Sequence, residues 1–260
     1  MSILRKISVK IDGRDVPVPG HFVPGVGTYA YVAGLLNELG LDCKVEGQGS
    51  FINIVTKKAP APAPKPLLGR RIALSAGHGN GRNVSGCNLA YNESDFVVDC
   101  VLELEPMLIA DGAIVHLPRT SRKEDMTLQV RTDRIDAFGA DICIDLHTDS
   151  LGTGCTTARG IHIIRQLSRP GDSLAQYLLD ELANSTGLPR SARGIWFQEG
   201  QKGFDWHHML RVPHAHNVIV ECGFHSNSKD LEFLRSPGAP RLVAQGIRKA
   251  LIQFANHKVS

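Results

Sequence analysis

Long apolar runs are missing from this 260-residue chain, and no stretch approaches the roughly 20 residues that a membrane-spanning helix needs. Dense blocks of Lys and Arg are missing too. The formal charge of +3 is too small and too dispersed to mark a nucleic-acid binder. None of the six cysteines (Cys43, Cys87, Cys100, Cys143, Cys155, Cys222) forms a Cys-x-x-Cys pair. That excludes the common structural-zinc and dithiol redox patterns. The opening Met-Ser-Ile-Leu-Arg-Lys-Ile-Ser-Val-Lys has charge but neither an apolar core nor a small-residue cleavage site, so no Sec-type signal peptide is expected. Without export, the expectation for the cysteines is free thiols in a reducing cytoplasm, several of them acting as small buried hydrophobes. What remains is ordinary for a globular protein, with 42% apolar and 21% charged residues. The length suits one full domain and a small one.

Proline punctuates the chain once with force, at Lys58-Ala-Pro-Ala-Pro-Ala-Pro-Lys-Pro. Alternating Ala-Pro supports neither a helix nor a ladder of hydrogen bonds, so residues 58–68 read as a semi-rigid spacer between units 1–57 and 69–260. In the first unit, Ile7 to Ile11 alternates apolar and polar, Asp12-Gly13 supplies a turn, and Val16 and Val18 follow. Helical spacing begins at Thr28 and is stopped by Gly40. Cys43 to Val45 and Phe51 to Val55 then close a small α+β unit of order ββαββ.

After the spacer the periodicity changes. Ile72 to Ser75, Ala113 to Leu117, Ile142 to Leu146, Gly160 to Ile164 and Val218 to Glu221 are short apolar runs that read as buried strands. Helical patterns over 93–110, 127–138, 172–186 and 241–254 lie between and after them. The alternation predicts an α/β fold with a largely parallel sheet flanked by helices, its functional groups gathered at the carboxyl ends of strands.

Four side chains fit that location. His78 stands in Gly-His-Gly after the first strand, where a plain turn histidine is the bland reading. Glu93 opens the next helix, where favourable interaction with the helix dipole would suffice to explain it. His147 in Asp-Leu-His-Thr-Asp ends an apolar strand, and hydrogen bonding to a neighbouring acid is its ordinary role. Glu221 closes Val-Ile-Val-Glu, where burial would raise its pKa and where pairing with a nearby Arg or His is the alternative. Together, two imidazoles and a carboxylate can fill three positions of a tetrahedral Zn²⁺, and a further carboxylate can move a proton. The combination reads as a zinc hydrolase site.

These residues stand in an ordered series of motifs: Ser-Ala-Gly-His78-Gly, Asn-Glu93-Ser, Val115-His-Leu-Pro-Arg119, Leu128-Gln-Val-Arg131, Asp145-Leu-His147 and Glu221-Cys-Gly-Phe-His-Ser-Asn227, followed by Leu231 and Leu234. Over roughly residues 69–257 the series resembles the zinc-dependent N-acetylmuramoyl-L-alanine amidases of the Amidase_3 family. The resemblance implies that His78, Glu93 and His147 bind Zn²⁺, that Glu221 is catalytic, and that the partner is bacterial peptidoglycan. The first unit resembles the small copper-amine-oxidase N-terminal-like domain found beside wall enzymes, through Lys-Ile-Ser-Val-Lys-Ile-Asp-Gly-Arg, Gly-Thr-Tyr and Leu-Asn-Glu-Leu-Gly-Leu. It implies a wall-binding or spacer module.

Two departures from the family pattern stand out, the acids Asp145 and Asp149 around His147 and the altered stretch Asn80-Gly-Arg-Asn-Val-Ser-Gly86. Asp145 or Asp149 is a candidate to orient His147. His207, His208, His214, His216 and His225 fit no zinc spacing and are expected at the surface or on a cleft wall. Trp196, Phe197 and Trp206 are expected either to line a groove or to pack beneath a loop. The alternatives to the amidase are a zinc peptidase acting within the stem peptide, which lacks support because no His-Glu-x-x-His run is present, and a non-catalytic wall-binding module. A wall enzyme made in the cytoplasm without a signal peptide would act after release, as a phage endolysin does with a holin or as a mother-cell lysis enzyme of sporulation does.

Overall fold

The computed structural model describes residues 8–11, 14–16, 43–46, 51–56, 65–79, 87, 90–152 and 154–257. The expected helix between residues 28 and 39, the Asp12-Gly13 turn, residues 58–64 of the spacer and the stretch 80–86 lie outside the described residues. The chain divides into two compact units, 1–64 and 65–260.

In the first unit β1 (Ser8–Ile11) pairs antiparallel with β2 (Arg14–Val16), and β3 (Cys43–Glu46) pairs antiparallel with β4 (Phe51–Thr56). The two hairpins join through β1 and β4, which run parallel, so the sheet order is β2-β1-β4-β3. A parallel join demands a crossover between the hairpins, and residues 17–42 supply the chain for it.

The second unit holds a six-stranded sheet of order β6-β5-β7-β10-β8-β9. Its strands are β5 (Arg71–Ala76), β6 (Ile114–His116), β7 (Ile142–Asp149), β8 (Ile161–Arg165), β9 (Arg190–Trp196) and β10 (His216–Phe224). All neighbours are parallel except β8 and β10, which makes the sheet largely parallel, as its apolar runs predict. The helices are α1 (Glu93–Ala110), α2 (Leu128–Phe138), α3 (Ser173–Thr186), α4 (Ser228–Leu234) and α5 (Ala239–His257). No helix among the described residues is long and apolar enough to cross a membrane.

The two faces of the sheet differ, and this difference positions the site. Ile72, Leu74, Ile142, Ile144, Leu146, Val218, Val220 and Cys222 point into one large core shared with α1, α3 and α5. Their alternates Ala73 and Cys143 meet a smaller core made with Ile135 of α2 and Met209. Ile219 joins Ile164 and Leu210 in a third cluster. Because side chains alternate along a strand, Asp145, His147 and Glu221 fall on this second, thinly covered face.

Three expectations need correction. His147 and Glu221 do not end their strands: β7 runs on to Asp149 and β10 to Phe224, with Glu221 opposite His147 and Phe224 opposite Asp149. The strand Arg190–Trp196 has no apolar run to announce it, since it is an edge strand paired only to β8. Cysteines also depart from the expectation of free thiols throughout. Cys87 and Cys155 are joined in a disulfide across 68 residues of sequence, whereas Cys100, Cys143 and Cys222 are free and buried. No local spacing signals such a pair, because only the fold brings the two loops together.

Candidate metal centre

Gly77-His78-Gly79 follows β5 directly, and each glycine has a steric reason. A Cβ on Gly77 would stand 2.3 to 2.6 Å from ring atoms of His147, and one on Gly79 would stand 2.7 Å from the Glu124 carbonyl. His78 itself takes a left-handed φ of 53°. Such a conformation is costly for a side chain with a Cβ and persists only when its surroundings hold it. Two buried arginines do so. Arg131 donates from Nη2 to the His78 carbonyl at 2.6 Å. Arg119 donates from Nη2 to the Gly77 carbonyl at 2.6 Å and to the Ser94 carbonyl at 3.2 Å, tying the turn to the first residues of α1.

Glu93 is the first residue of α1, but Asn92 is the cap, its side-chain oxygen accepting from the Asp95 N–H. The Glu93 carboxylate is thereby free to turn inward. Its Oε1 accepts the Thr148 N–H at 2.9 Å and lies 3.1 Å from His78 Nε2 and 3.0 Å from His147 Nδ1. The two imidazole nitrogens are themselves 3.1 Å apart. On its far side, His147 Nε2 meets Asp145 Oδ2 at 3.0 Å. In the neutral ring that bond takes the proton on Nε2 and leaves the Nδ1 lone pair for a cation, the arrangement that a carboxylate gives a metal-ligating histidine; without a cation, a second proton on Nδ1 bonds Glu93 instead.

The electrostatics fit a cation at the point where the three atoms meet. Burial alone would raise the pKa of Glu93, but the hydrogen bonds from His147 and His78 outweigh it and hold the carboxyl well below its ordinary range. Burial likewise works against Asp145, and His147 and Arg131 overcome it, so its pKa is lowered. For His147 burial favours the neutral ring, yet Asp145 and Glu93 draw a proton to it and raise its pKa well above the usual value. A proton can satisfy one pair among the three donors. A dication satisfies all three at once, and four ligands at about 2.0–2.1 Å from a tetrahedral ion are about 3.3 Å apart. The observed edges of 3.0 to 3.1 Å match that size. Among the described residues this is the group of His, Cys, Asp and Glu able to hold a metal ion.

Glu221 lies on β10 in register with His147 on β7, and His162 of β8 is its partner on the other side. It borders a cleft of about 420 Å³ together with His78, Glu93, His147 and Asp149. Burial, only partly offset by His147 and reinforced by Glu93, Asp149 and Asp145, pushes its carboxyl up to about 8. The residue as a whole is half-buried, but Oε2 is fully inaccessible and has no hydrogen-bond partner among the described residues. The four residues singled out in the sequence therefore come together.

Of the other histidines, His207 and His225 line this cleft, and His225 Nδ1 contacts Thr148 Oγ1 at 2.9 Å behind Glu93. His208 borders an adjoining cavity and meets Thr132 Oγ1 at 3.2 Å. His216 is remote from the site, buried against Asp172 at 2.8 Å. Trp196 packs edge-on against His207, whereas Phe197 and Trp206 are exposed. Sequence reasoning gave no role to Arg119 or Arg131. No local pattern signals those roles, because only the fold shows that both arginines are buried beside the His78 turn.

A family model described as N-acetylmuramoyl-L-alanine amidase, Amidase_3, matches residues 72–253. The chain belongs to the Amidase_3 family. The N-acetylmuramoyl-L-alanine amidase CwlM of Mycobacterium tuberculosis is 27% identical over 192 residues, which are 71% of this chain and 45% of that protein. The probable cell wall amidase LytH of Staphylococcus saprophyticus is 26% identical over 210 residues, covering 80% of this chain and 65% of its own length. The chain thus spans about half to two thirds of these two relatives. Among solved structures, the catalytic domain of CwlV, an N-acetylmuramoyl-L-alanine amidase from Bacillus (Paenibacillus) polymyxa var. colistinus, superposes with a TM-score of 0.62 at 24% identity, over 72% of this chain and 98% of that one. At that identity the likeness establishes the fold.

Proposed function

We propose that this protein is a zinc-dependent N-acetylmuramoyl-L-alanine amidase acting on bacterial peptidoglycan. The substrate bond is the amide between the lactyl group of N-acetylmuramic acid and the L-Ala that begins the stem peptide. The observation behind this reading is the convergence of His78 Nε2, Glu93 Oε1 and His147 Nδ1 within 3.1 Å of one another, with the unpartnered Glu221 carboxylate in the same cleft. Family membership and the CwlM and LytH relatives support it.

His78, Glu93 and His147 would hold the zinc. When bound, the ion supplies Lewis-acid polarisation of the scissile carbonyl and a water acidified to a pKa of about 7. Everything else falls to the protein. Asp145 keeps the His147 ring turned with Nδ1 inward, and Arg131 and Arg119 hold the backbone that presents His78. The Glu221 carboxylate would take the proton of the attacking water and return it to the departing amine. Burial raises the Glu221 carboxyl to about 8 in the metal-free protein, and a cation held by the neighbouring residues would lower that value toward the range a proton-accepting carboxylate needs. The thin cover over this face of the sheet leaves room for a polymer to lie across the site. No covalent intermediate with the protein is required.

Digestion of purified peptidoglycan with analysis of the released ends tests the reading. New L-Ala amino termini without new reducing sugars, abolished by chelation, are expected. Cleavage between stem-peptide residues would replace it with a peptidase, and wall binding without new ends would replace it with a non-catalytic module.

A further inference from the structure

The cleft beside Glu221 is one half of a longer depression. A second cavity of about 360 Å³ adjoins it, within the roughly 300–1,000 Å³ of sites that enclose small ligands. His78 and His147 border both halves, so the candidate metal centre lies where they meet. The halves differ in chemistry. Apart from Ile219, which they share, the first is lined by histidines, acids and hydroxyls. One of those acids, Asp149, accepts from Arg193 Nη1 at 3.1 Å, so an ion pair stands on that side. The second half adds Met126, Leu128 and Met209. Of its charged side chains, Arg131 and Asp145 are buried and face each other 3.7 Å apart, and exposed Asp125 offers acceptors to hydroxyl groups.

Leu128 is the first residue of α2, placed by the Thr127 cap, whose Oγ1 accepts the Val130 N–H at 3.2 Å. It lines the second half, yet 50% of it is exposed. A lone exposed leucine is ordinary. One set in a cavity wall beside Met126, next to the metal centre, presents apolar surface to whatever enters.

The position of Glu221 gives the depression a direction. Glu221 borders the first half only. In the amidase reading its carboxylate protonates the departing L-Ala nitrogen, so the stem peptide occupies that half and the acyl group lies across the metal centre in the second. The two substrate halves suit those walls. The acyl side is uncharged, because its lactyl carboxyl is the scissile amide, and it presents hydroxyls and the apolar C–H face of a sugar ring. The peptide side carries the charged groups.

We propose that the second cavity is the muramoyl subsite and that Leu128 is a specificity-determining residue, its side chain packing on the apolar face of the sugar. This rests on the amidase reading and adds an orientation to it, glycan over Met126 and Leu128 and peptide over Asp149 and Ser150.

Two measurements test it. The first compares kcat/KM on N-acetylmuramoyl-L-Ala-D-isoGln with kcat/KM on D-lactoyl-L-Ala-D-isoGln, which lacks the sugar. Leu128→Asp, tolerable at an exposed first position of a helix, should lose about tenfold on the first substrate and less than about twofold on the second. Leu128→Met, which keeps the apolar contact, should stay within about twofold of wild type on both. Equal losses of Leu128→Asp on the two substrates, or no loss on either, would overturn the assignment. The second maps amide chemical shifts of Glu221→Gln protein with two fragments, N-acetylmuramoyl methylamide and L-Ala-D-isoGln. The first fragment should move residues 126–130 and the second residues 149–151. A swapped map, or one in which neither fragment moves residues 126–130, would overturn it. If wild type releases no L-Ala termini from either substrate, the amidase reading fails, and the shift map alone still decides which fragment the second cavity takes.

Discussion

Glu221 and His147 stand directly opposite one another on adjacent parallel strands, β10 and β7. Glu221 Oε2 has no hydrogen-bond partner among the described residues, and His147 is the hub of the hydrogen-bonded cluster. The sheet therefore sets the distance between the group proposed to move protons and the group proposed to anchor the cation. Glu221→Gln keeps the shape and removes the base. It is expected to lower kcat by about 10²- to 10⁴-fold while zinc content stays at the wild-type level. Steady-state kinetics beside metal analysis checks this, and a variant that loses metal would make Glu221 a ligand.

Asp145 fixes His147 from behind, and Arg131 faces Asp145 in a pair where both side chains are buried. Asp145→Asn weakens the orienting bond and should lower zinc affinity about 10- to 100-fold. Arg131→Met leaves the Asp145 charge without its cation and frees the His78 carbonyl. Breaking a buried pair in this way costs about 3–5 kcal/mol, measurable by chemical denaturation of the metal-free protein. A loss of under 1 kcal/mol would mean that the pair is not structural.

Gly77 has no room for a methyl group, since its Cβ would stand 2.3 Å from His147 Cε1. Gly77→Ala should therefore displace the His147 ring and abolish stoichiometric zinc binding while the far core, around α3 and α5, stays folded. Circular dichroism together with zinc titration separates the two effects. Wild-type zinc affinity in this variant would show that the packing is not as described.

Two buried groups oppose each other in the pH dependence of the metal-free protein. His162 is buried, and burial lowers its pKa from 6.5 to about 3. Between those values the unfolded chain binds the extra proton, so stability falls as the solution is acidified from 6.5 toward 3. Burial raises Glu221 from 4.5 to about 8. Here the folded state holds the extra proton, so stability falls as pH rises from 4.5 to 8. His162→Phe, whose ring suits the neighbouring Trp196 and Phe224, should lessen the acid-side loss. Glu221→Gln should lessen the alkaline-side loss, leaving the part that the raised His147 contributes above 6.5. Melting temperature against pH for the three proteins reads both slopes, and parallel profiles would contradict these assignments.

The strands of the large sheet were legible because each carries a short apolar run, and the four site residues because they stand beside those runs. Edge strand β9 was not, since Arg190-Ser-Ala-Arg-Gly-Ile-Trp is too polar to look buried and pairs on one side alone. The exact strand ends were hidden for a related reason. His147 and Glu221 are polar, but they remain inside the ladder because backbone pairing does not depend on side-chain polarity. The Cys87–Cys155 bond and the clamping of His78 by Arg119 and Arg131 join residues more than 40 positions apart, which no local pattern encodes.

Zinc stoichiometry across single-residue variants tests the central claim most directly. Elemental analysis of purified protein should give one equivalent in wild type and in Glu221→Gln, and less than a tenth of an equivalent in His78→Ala, Glu93→Ala and His147→Ala, all correctly folded. Full occupancy in the three ligand variants, or none in folded wild type supplied with zinc, would contradict it.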